Sequence, residues 1–249
     1  MVDLTRYQPH DGLLQDRIIV ITGAGDGIGR AAALACAKAG ATVVLLGRTL
    51  NKLELVYDEI EALGGPKPAI YPINFEGAAP QDYETLADVL TTEFHRIDGL
   101  LHNASELGPR TPLALYDSAA WSKVLQVNVT APFILTKALM PLLENSEDAS
   151  VVFTSSSVGR KGRAYWGAYA VSKGAVENLM QTLADELDGT SKVRANSINP
   201  GATRTKMRAT AYPAEDPQTV TPPENIMKAY LYLLGPDSKG VNGQQFEAQ

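Results

Sequence analysis

The sequence predicts an α/β fold: a three-layer, doubly wound parallel sheet of about seven strands with helices on both faces. Three observations carry this. Short aliphatic and β-branched runs alternate with longer amphipathic stretches along almost the whole chain, which is the pattern of right-handed strand–helix–strand crossovers. The short runs are apolar at consecutive positions, as strands buried on both faces require. The first run also passes directly into a glycine-rich turn that opens a helix. With 249 residues, 45% of them hydrophobic, the chain can bury one sizeable core.

Residues 1–16 are polar and mixed and read as an N-terminal extension; 17–249 read as one domain. Residues 17–22 (Arg-Ile-Ile-Val-Ile-Thr) form the first expected strand, and the turn Gly23-Ala-Gly25-Asp26-Gly27-Ile28-Gly29 leads to a helix over 30–39. Strand, glycine turn and helix in that order suit a dinucleotide. The glycines let the backbone approach a pyrophosphate, and the helix N-terminus offers free N–H groups to the anion.

Residues 41–46 form a second strand, ending at Gly47-Arg48-Thr49. An acid at this position would bind a ribose 2′-hydroxyl and repel a 2′-phosphate. Glycine followed by Arg48 favours NADP(H) over NAD(H), while Asp26 in the turn points mildly the other way. A helix over 50–63 stops at Gly64-Gly65-Pro66; a strand (69–74), a helix (80–94) and a strand (97–102) follow. After a loop over 106–118, a long helix is expected over 121–143, kinked at Pro132 with a carbonyl set free. Then come a strand (150–156), a basic loop with Arg160, Lys161 and Arg163, a helix from Tyr169 to about Leu187, and a strand (193–198). Residues 204–223 read as a mobile flap, 225–234 as a last helix and 244–246 as a closing strand.

The chemistry centres on Tyr169-Ala-Val-Ser-Lys173. Four residues apart, the two side chains share a helix face. A lysine ammonium favours the phenolate and is expected to lower the tyrosine pKa, making a general acid/base. Composition narrows the rest. A net charge of −6 gives no sign of a nucleic-acid partner, and the lone Cys36 and scattered His10, His95 and His102 offer no metal cluster. No apolar run is long enough to span a bilayer, and the first residues lack the features of a signal peptide, so a cytoplasmic protein is expected.

Taken together, these motifs resemble the short-chain dehydrogenase/reductase family in its compact single-domain form, over residues 13–246. Thr22-Gly23-x3-Gly27-Ile28-Gly29 resembles its cofactor turn, Asn103-Ala104 its Asn-Ala segment, and Ser155-Ser156 its serine strand, with Ser156 thirteen residues before Tyr169. Tyr169-x3-Lys173 matches its active-site signature, and Pro200-Gly201-Ala-Thr203-Arg-Thr205 its nicotinamide-side loop.

The resemblance implies a Rossmann-like domain holding both cofactor and substrate sites. It implies Tyr169 as proton donor or base, with Lys173 lowering the tyrosine pKa and holding the nicotinamide ribose. Ser156 would bond the substrate carbonyl, and Asn128 would position a water for proton relay. Expected cofactor contacts are Gly23, Gly25, Asp26, Gly27, Ile28, Arg48, Asn74, Phe75, Asn103, Ala104, Tyr169, Lys173, Pro200, Gly201, Thr203 and Thr205, without a metal.

Three places depart from the family pattern. His102 and Ser105 replace Asn and Gly, for which local repacking is the expectation. Asn74 replaces a common acid, and the tail over 240–249 is atypical. The expected activity is reduction of a ketone or aldehyde by NADPH. The alternatives are a 3-oxoacyl-carrier reductase, drawn by the basic loop, and a catalytically silent dinucleotide-binding regulator. Glu106, Leu107, Ser157, Arg163, Trp166 and the flap are candidates to line the substrate pocket, with Tyr165 and Trp166 able to stack on an apolar substrate. By analogy a homodimer or homotetramer forms through the two long helices, with Val124, Val127 and Leu183 as outer positions.

Overall fold

The structure is a computed structural model and describes Leu4 and residues 6–249. Seven strands are named: β1 (Ile18–Thr22), β2 (Thr42–Gly47), β3 (Ala69–Pro72), β4 (Gly99–His102), β5 (Ala149–Thr154), β6 (Val193–Asn199) and β7 (Gln245–Glu247). All neighbours pair in parallel, in the order β3-β2-β1-β4-β5-β6-β7. The α-helices are α1 (Gly27–Lys38), α2 (Leu50–Ala62), α3 (Pro80–Phe94), α4 (Ser118–Leu125), α5 (Ala131–Glu144), α6 (Ser157–Arg160), α7 (Gly167–Leu187), α8 (Lys206–Ala211) and α9 (Met227–Leu234). One core packs α1, α2 and α9 against the sheet; the other packs α3, α5 and α7 on the opposite face. Strand order reverses between β1 and β4, so the crevice that receives a ligand opens at the carboxyl ends of these strands.

Described residues ahead of β1 pack on the core; residues 1–3 and 5 of the expected extension lie outside the described residues. Leu13 and Leu14 are buried in the first core, and the Tyr7 ring meets Tyr232 edge-on at 5.1 Å. Helix α1 starts three residues earlier than expected, because Asp26 caps it through the Gly27 N–H at 2.9 Å. The expected 121–143 helix is broken into α4, a π-helical turn over Gln126–Thr130, and α5. Pro132 has no N–H to donate to the carbonyl four residues back, that of Asn128, and the ladder shifts so that Ala131 N–H reaches Gln126 O.

Val124 is fully buried, not an outer position as expected, because α4 turns it toward Gly108; Val127 and Leu183 are partly buried against the second core. The 204–223 stretch, expected as a mobile flap, contains α8 and a 3-10 turn over Pro217–Thr219, and its Thr221 forms a parallel bridge with Thr203.

Candidate active site

A cavity of about 480 Å³ runs across the carboxyl ends of the strands, from α2 to α8. Its floor begins at the glycine turn. Gly23 takes φ +67°, and a Cβ there would lie 3.0 Å from Ala104 Cα; a Cβ on Gly29 would lie 2.1 Å from the Gly23 carbonyl oxygen. The turn can close this tightly only without side chains. Thr22 Oγ1 locks it to β4, accepting from the N–H groups of Asn103 (2.9 Å) and Ala104 (3.0 Å) and donating to Leu101 O (3.3 Å). The 12-residue α1 then points its N-terminus into the cavity, a dipole end that favours a phosphate. The hydroxyls of Ser105 and Ser155, both in residues on the wall, are buried without a hydrogen-bond partner among the described residues. A backbone cradle, a helix N-terminus and unmet polar groups together fit a bound dinucleotide.

At the α2 end the cavity is cationic. Asp26, the acid within the turn, receives Lys52 Nζ at 2.6 Å and Lys206 Nζ at 3.2 Å. The Lys52 hydrogen bond, more than any other contact, holds its carboxyl below the usual range. Arg48 is exposed on the same wall. Lys52 and Lys206 are functional candidates that the sequence reading missed. Lys52 lies in the first turn of α2, four residues after Arg48, and Lys206 directly follows Thr205, so nearness in sequence to expected contacts was the available signal.

At the other end, Tyr169 on α7 is 8% exposed and lines the cavity beside Ser156. Burial pushes its phenol up to about 12, and a hydrogen bond with Ser156 offsets this only in part. Lys173 Nζ donates to Thr154 O at 2.8 Å and lies 5.6 Å from the Tyr169 ring centroid. Burial pulls its ammonium down to about 8, against the pull of Glu177. The expected lowering of the tyrosine pKa by Lys173 is therefore corrected: burial raises it, the hydrogen bond with Ser156 is what offsets the rise, and Tyr169 holds its proton more tightly than a free phenol.

Asn128 does not line the cavity. It stands behind it, 2% exposed, in the π-helical turn. Its Oδ1 accepts from Glu106 N (2.7 Å), and its Nδ2 donates to Glu106 O (2.9 Å) and Ser172 Oγ (2.9 Å). The side chain thus fixes the loop after β4 against α7. His102 packs as expected of a repacked strand end. It stacks on Phe153 at 4.8 Å, with Nε2 2.8 Å from Thr136 Oγ1. Burial, aided by nearby Lys173, drives its pKa down to about 3, so the ring is neutral.

The other expected cofactor residues, Gly25, Gly27, Ile28, Asn74, Phe75, Asn103, Ala104, Pro200, Gly201, Thr203 and Thr205, all line the cavity. Several already have internal work. Asn74 Oδ1 accepts from Glu76 N at 3.3 Å, and Thr205 Oγ1 caps α8 through Arg208 N at 3.1 Å. The atypical tail has a clear place. Gln249 Nε2 donates to Pro200 O (2.6 Å), Ala202 O (3.2 Å) and Thr203 Oγ1 (3.3 Å), clamping the loop after β6.

Of the expected substrate-pocket residues, Glu106, Leu107 and Trp166 line the cavity with Met207, Arg208, Ala211 and Tyr212 of the flap; Ser157 and Arg163 do not. Exposed Tyr165 turns away as well. Of the basic loop, Arg160 is paired with Glu177 (3.3 Å) and Glu247, while Lys161 and Arg163 are exposed. Among the described residues no helix is long and apolar enough to cross a membrane, and no group of three His, Cys, Asp or Glu side chains gathers as a metal site.

The family model for short chain dehydrogenases matches residues 17–216. The chain is 50% identical over 243 residues to the uncharacterized oxidoreductase YciK of Escherichia coli K12, covering 98% of this chain and 96% of that one. A structure from Pseudomonas syringae described as a short-chain dehydrogenase is 59% identical, covers 100% of both chains and superposes with a TM-score of 0.97. Another so described, from Escherichia coli CFT073 and complexed with NADPH, is 50% identical over 97% of this chain and 100% of its own, with a TM-score of 0.94.

Proposed function

The chain belongs to the short-chain dehydrogenase family, and on that premise we propose that this oxidoreductase uses NADPH to reduce a ketone or aldehyde. The observation that carries the reading is geometric: Tyr169, Ser156 and Lys173 share one wall of the cavity. Burial raises the Tyr169 phenol, so at neutral pH it carries a proton that it can give to a carbonyl oxygen. A bound nicotinamide supplies the hydride. Ser156 donates a hydrogen bond to the carbonyl oxygen and stabilises charge developing there. Tyr169 passes its phenolic proton to that oxygen. Lys173, with a pKa near 8, restores the proton to Tyr169. Asn128 keeps the Glu106 loop and α7 in register; the expected water for a proton relay to Lys173 would have to share these contacts.

Gly23, Gly25, Gly27 and Ile28 would hold the pyrophosphate. Asn74, Phe75, Asn103 and Ala104 would border the adenosine, and Pro200, Gly201, Thr203 and Thr205 the nicotinamide side. Three bases support the choice of NADPH. Arg48, Lys52 and Lys206 line the end where a 2′-phosphate would sit, and Asp26 is neutralised there. The NADPH complex of the Escherichia coli CFT073 relative agrees with this choice.

Tyr169→Phe tests the reading. NADPH affinity should stay within about threefold while carbonyl reduction falls by roughly 10³-fold or more. Persistent turnover would remove Tyr169 from its role. The acyl-carrier alternative is weakened by Arg160, which is committed to two glutamates. The silent-regulator alternative is weakened by the presence of Tyr169, Lys173 and Ser156 on one wall.

We further propose that 17–249 act as one domain in the cytoplasm, a setting that suits a single buried cysteine. The chain would pair as a homodimer or homotetramer through α5 and α7, where Phe133 (51% exposed) and Val171 (48%) stand out from the surface.

A further inference from the structure

Above Tyr169 lies a small apolar cluster separate from the two main cores: Leu107, Val158, Trp166, Tyr169 and Ala211, with Met207 and Tyr212 packed on it. Its aromatic members are closely set. The Trp166 ring lies 5.7 Å from that of Tyr169 and 5.9 Å from that of Tyr212, centroid to centroid. They come from separate segments, Tyr212 from the flap and the other two from the start of α7. What joins them is Arg110, from the loop after β4. Its guanidinium carbon sits 4.6 Å from the Trp166 centroid and 5.2 Å from that of Tyr212, and Nη1 donates to the Ala211 carbonyl. Arg208 covers the Tyr212 ring at 3.8 Å and is itself held by both oxygens of Glu215, at 2.7 and 2.6 Å.

The charges matter as much as the rings. Both arginines near this wall are occupied, one by ring faces and a carbonyl, the other by a ring face and a carboxylate. Glu106 lines the same cavity. A carboxylate or phosphate entering here would be stripped of water against apolar surface, near an acid and with both arginines already engaged, which disfavours it. An uncharged ring would meet aromatic faces already set at an angle to receive it.

We propose that Trp166 and Tyr212, clamped by Arg110, form the specificity-determining wall of the substrate pocket and select an uncharged, ring-bearing ketone or aldehyde over oxo acids and small aliphatic carbonyls. Arg110 is a positioning residue that acts through the two rings. This rests on the reductase reading above.

The test compares phenylacetone, phenylpyruvate and butanone with the full chain and NADPH. The first two share a ring and differ by a methyl against a carboxylate, and butanone lacks the ring. Phenylacetone should exceed phenylpyruvate in kcat/KM by about 100-fold and butanone by about tenfold. In Arg110→Ala the KM for phenylacetone should rise about tenfold with kcat within about threefold and NADPH affinity unchanged, while butanone is barely affected. Arg110→Lys should fall between, since an ammonium lacks the planar face. A merely structural role would lower turnover of all three probes alike, and that result would overturn the proposal, as would a preference for phenylpyruvate. Trp166→Leu gives a second route to the same comparison should Arg110→Ala fail to fold.

Binding to the NADP⁺-loaded protein by equilibrium dialysis separates the two readings. Selective binding of phenylacetone without turnover faults the reductase reading and leaves the wall standing. Equal binding of phenylpyruvate overturns the wall whatever the turnover.

Discussion

The Lys52 ammonium lies 2.6 Å from the Asp26 carboxylate, across the mouth of the glycine turn. An acid that by itself would repel a 2′-phosphate is thereby neutralised, and Lys206 reaches the same oxygen at 3.2 Å. Lys52→Ala should weaken NADPH binding roughly three- to tenfold, the modest size expected of a half-exposed charge. NADH binding should stay within about twofold, since that cofactor lacks the 2′-phosphate. Parallel fluorescence titrations with the two cofactors read the difference. Equal losses for both would place Lys52 outside cofactor selection.

The direction of the reaction should depend on pH in opposite senses. Reduction uses the Tyr169 proton, resupplied by Lys173, whose ammonium loses its own proton near pH 8. Reductive kcat/KM should be flat from about pH 6 to 8 and fall above that. Oxidation of the product alcohol needs Tyr169 to accept a proton, so it should rise through the same range because the phenol is pushed up to about 12. Initial rates in both directions across pH 6–10 check this, and parallel profiles would count against the assignment.

His102 should make the fold sensitive to acid. Its pKa falls from 6.5 to about 3 on burial. Between these values the unfolded chain binds the extra proton and the folded chain does not. Stability from this residue is therefore present above about pH 6.5 and is lost as pH drops toward 3, by up to about 1.4 kcal/mol per pH unit. Urea midpoints at pH 4–7 should fall less steeply in His102→Asn than in the parent. Identical slopes would mean that His102 is not held neutral.

Asn128→Ala should remove all three hydrogen bonds that tie Glu106 and Ser172 together. Buried partners would be left unmet, at a loss of roughly 2–4 kcal/mol in unfolding free energy. Chemical denaturation measures this directly. A loss under about 0.5 kcal/mol would show that the loop finds other partners.

Some of this is plain from local pattern. Consecutive apolar residues in β1, β2 and β5 announce strands buried on both faces. The glycine turn and the Tyr169–Lys173 spacing are short-range features, and a string of residues displays them. The π-helical turn is only half legible: Pro132 announces a fault in the helix, but whether a kink or a wide turn relieves it depends on how Asn128 is held by Glu106 and Ser172. Residues 1–16 look polar on average, and that average conceals Leu13 and Leu14, which the first core buries completely.

Local pattern thus announced the parallel sheet and the residue types that serve the site. The strand order, the crevice it opens and the behaviour of those groups came with folding. Asp26 is neutralised by Lys52 and, secondarily, by Lys206, 180 positions away. Arg160 is spent on Glu177 and Glu247 instead of offering a basic surface. Trp166 and Tyr212 come from separate segments and meet at 5.9 Å, with Arg110 set against both rings. Tyr169 keeps its proton because burial outweighs its hydrogen bond with Ser156. The reason is common to all four. Helical spacing and turn chemistry act over a few residues, whereas desolvation and charge pairing depend on what the folded chain brings within a few ångströms.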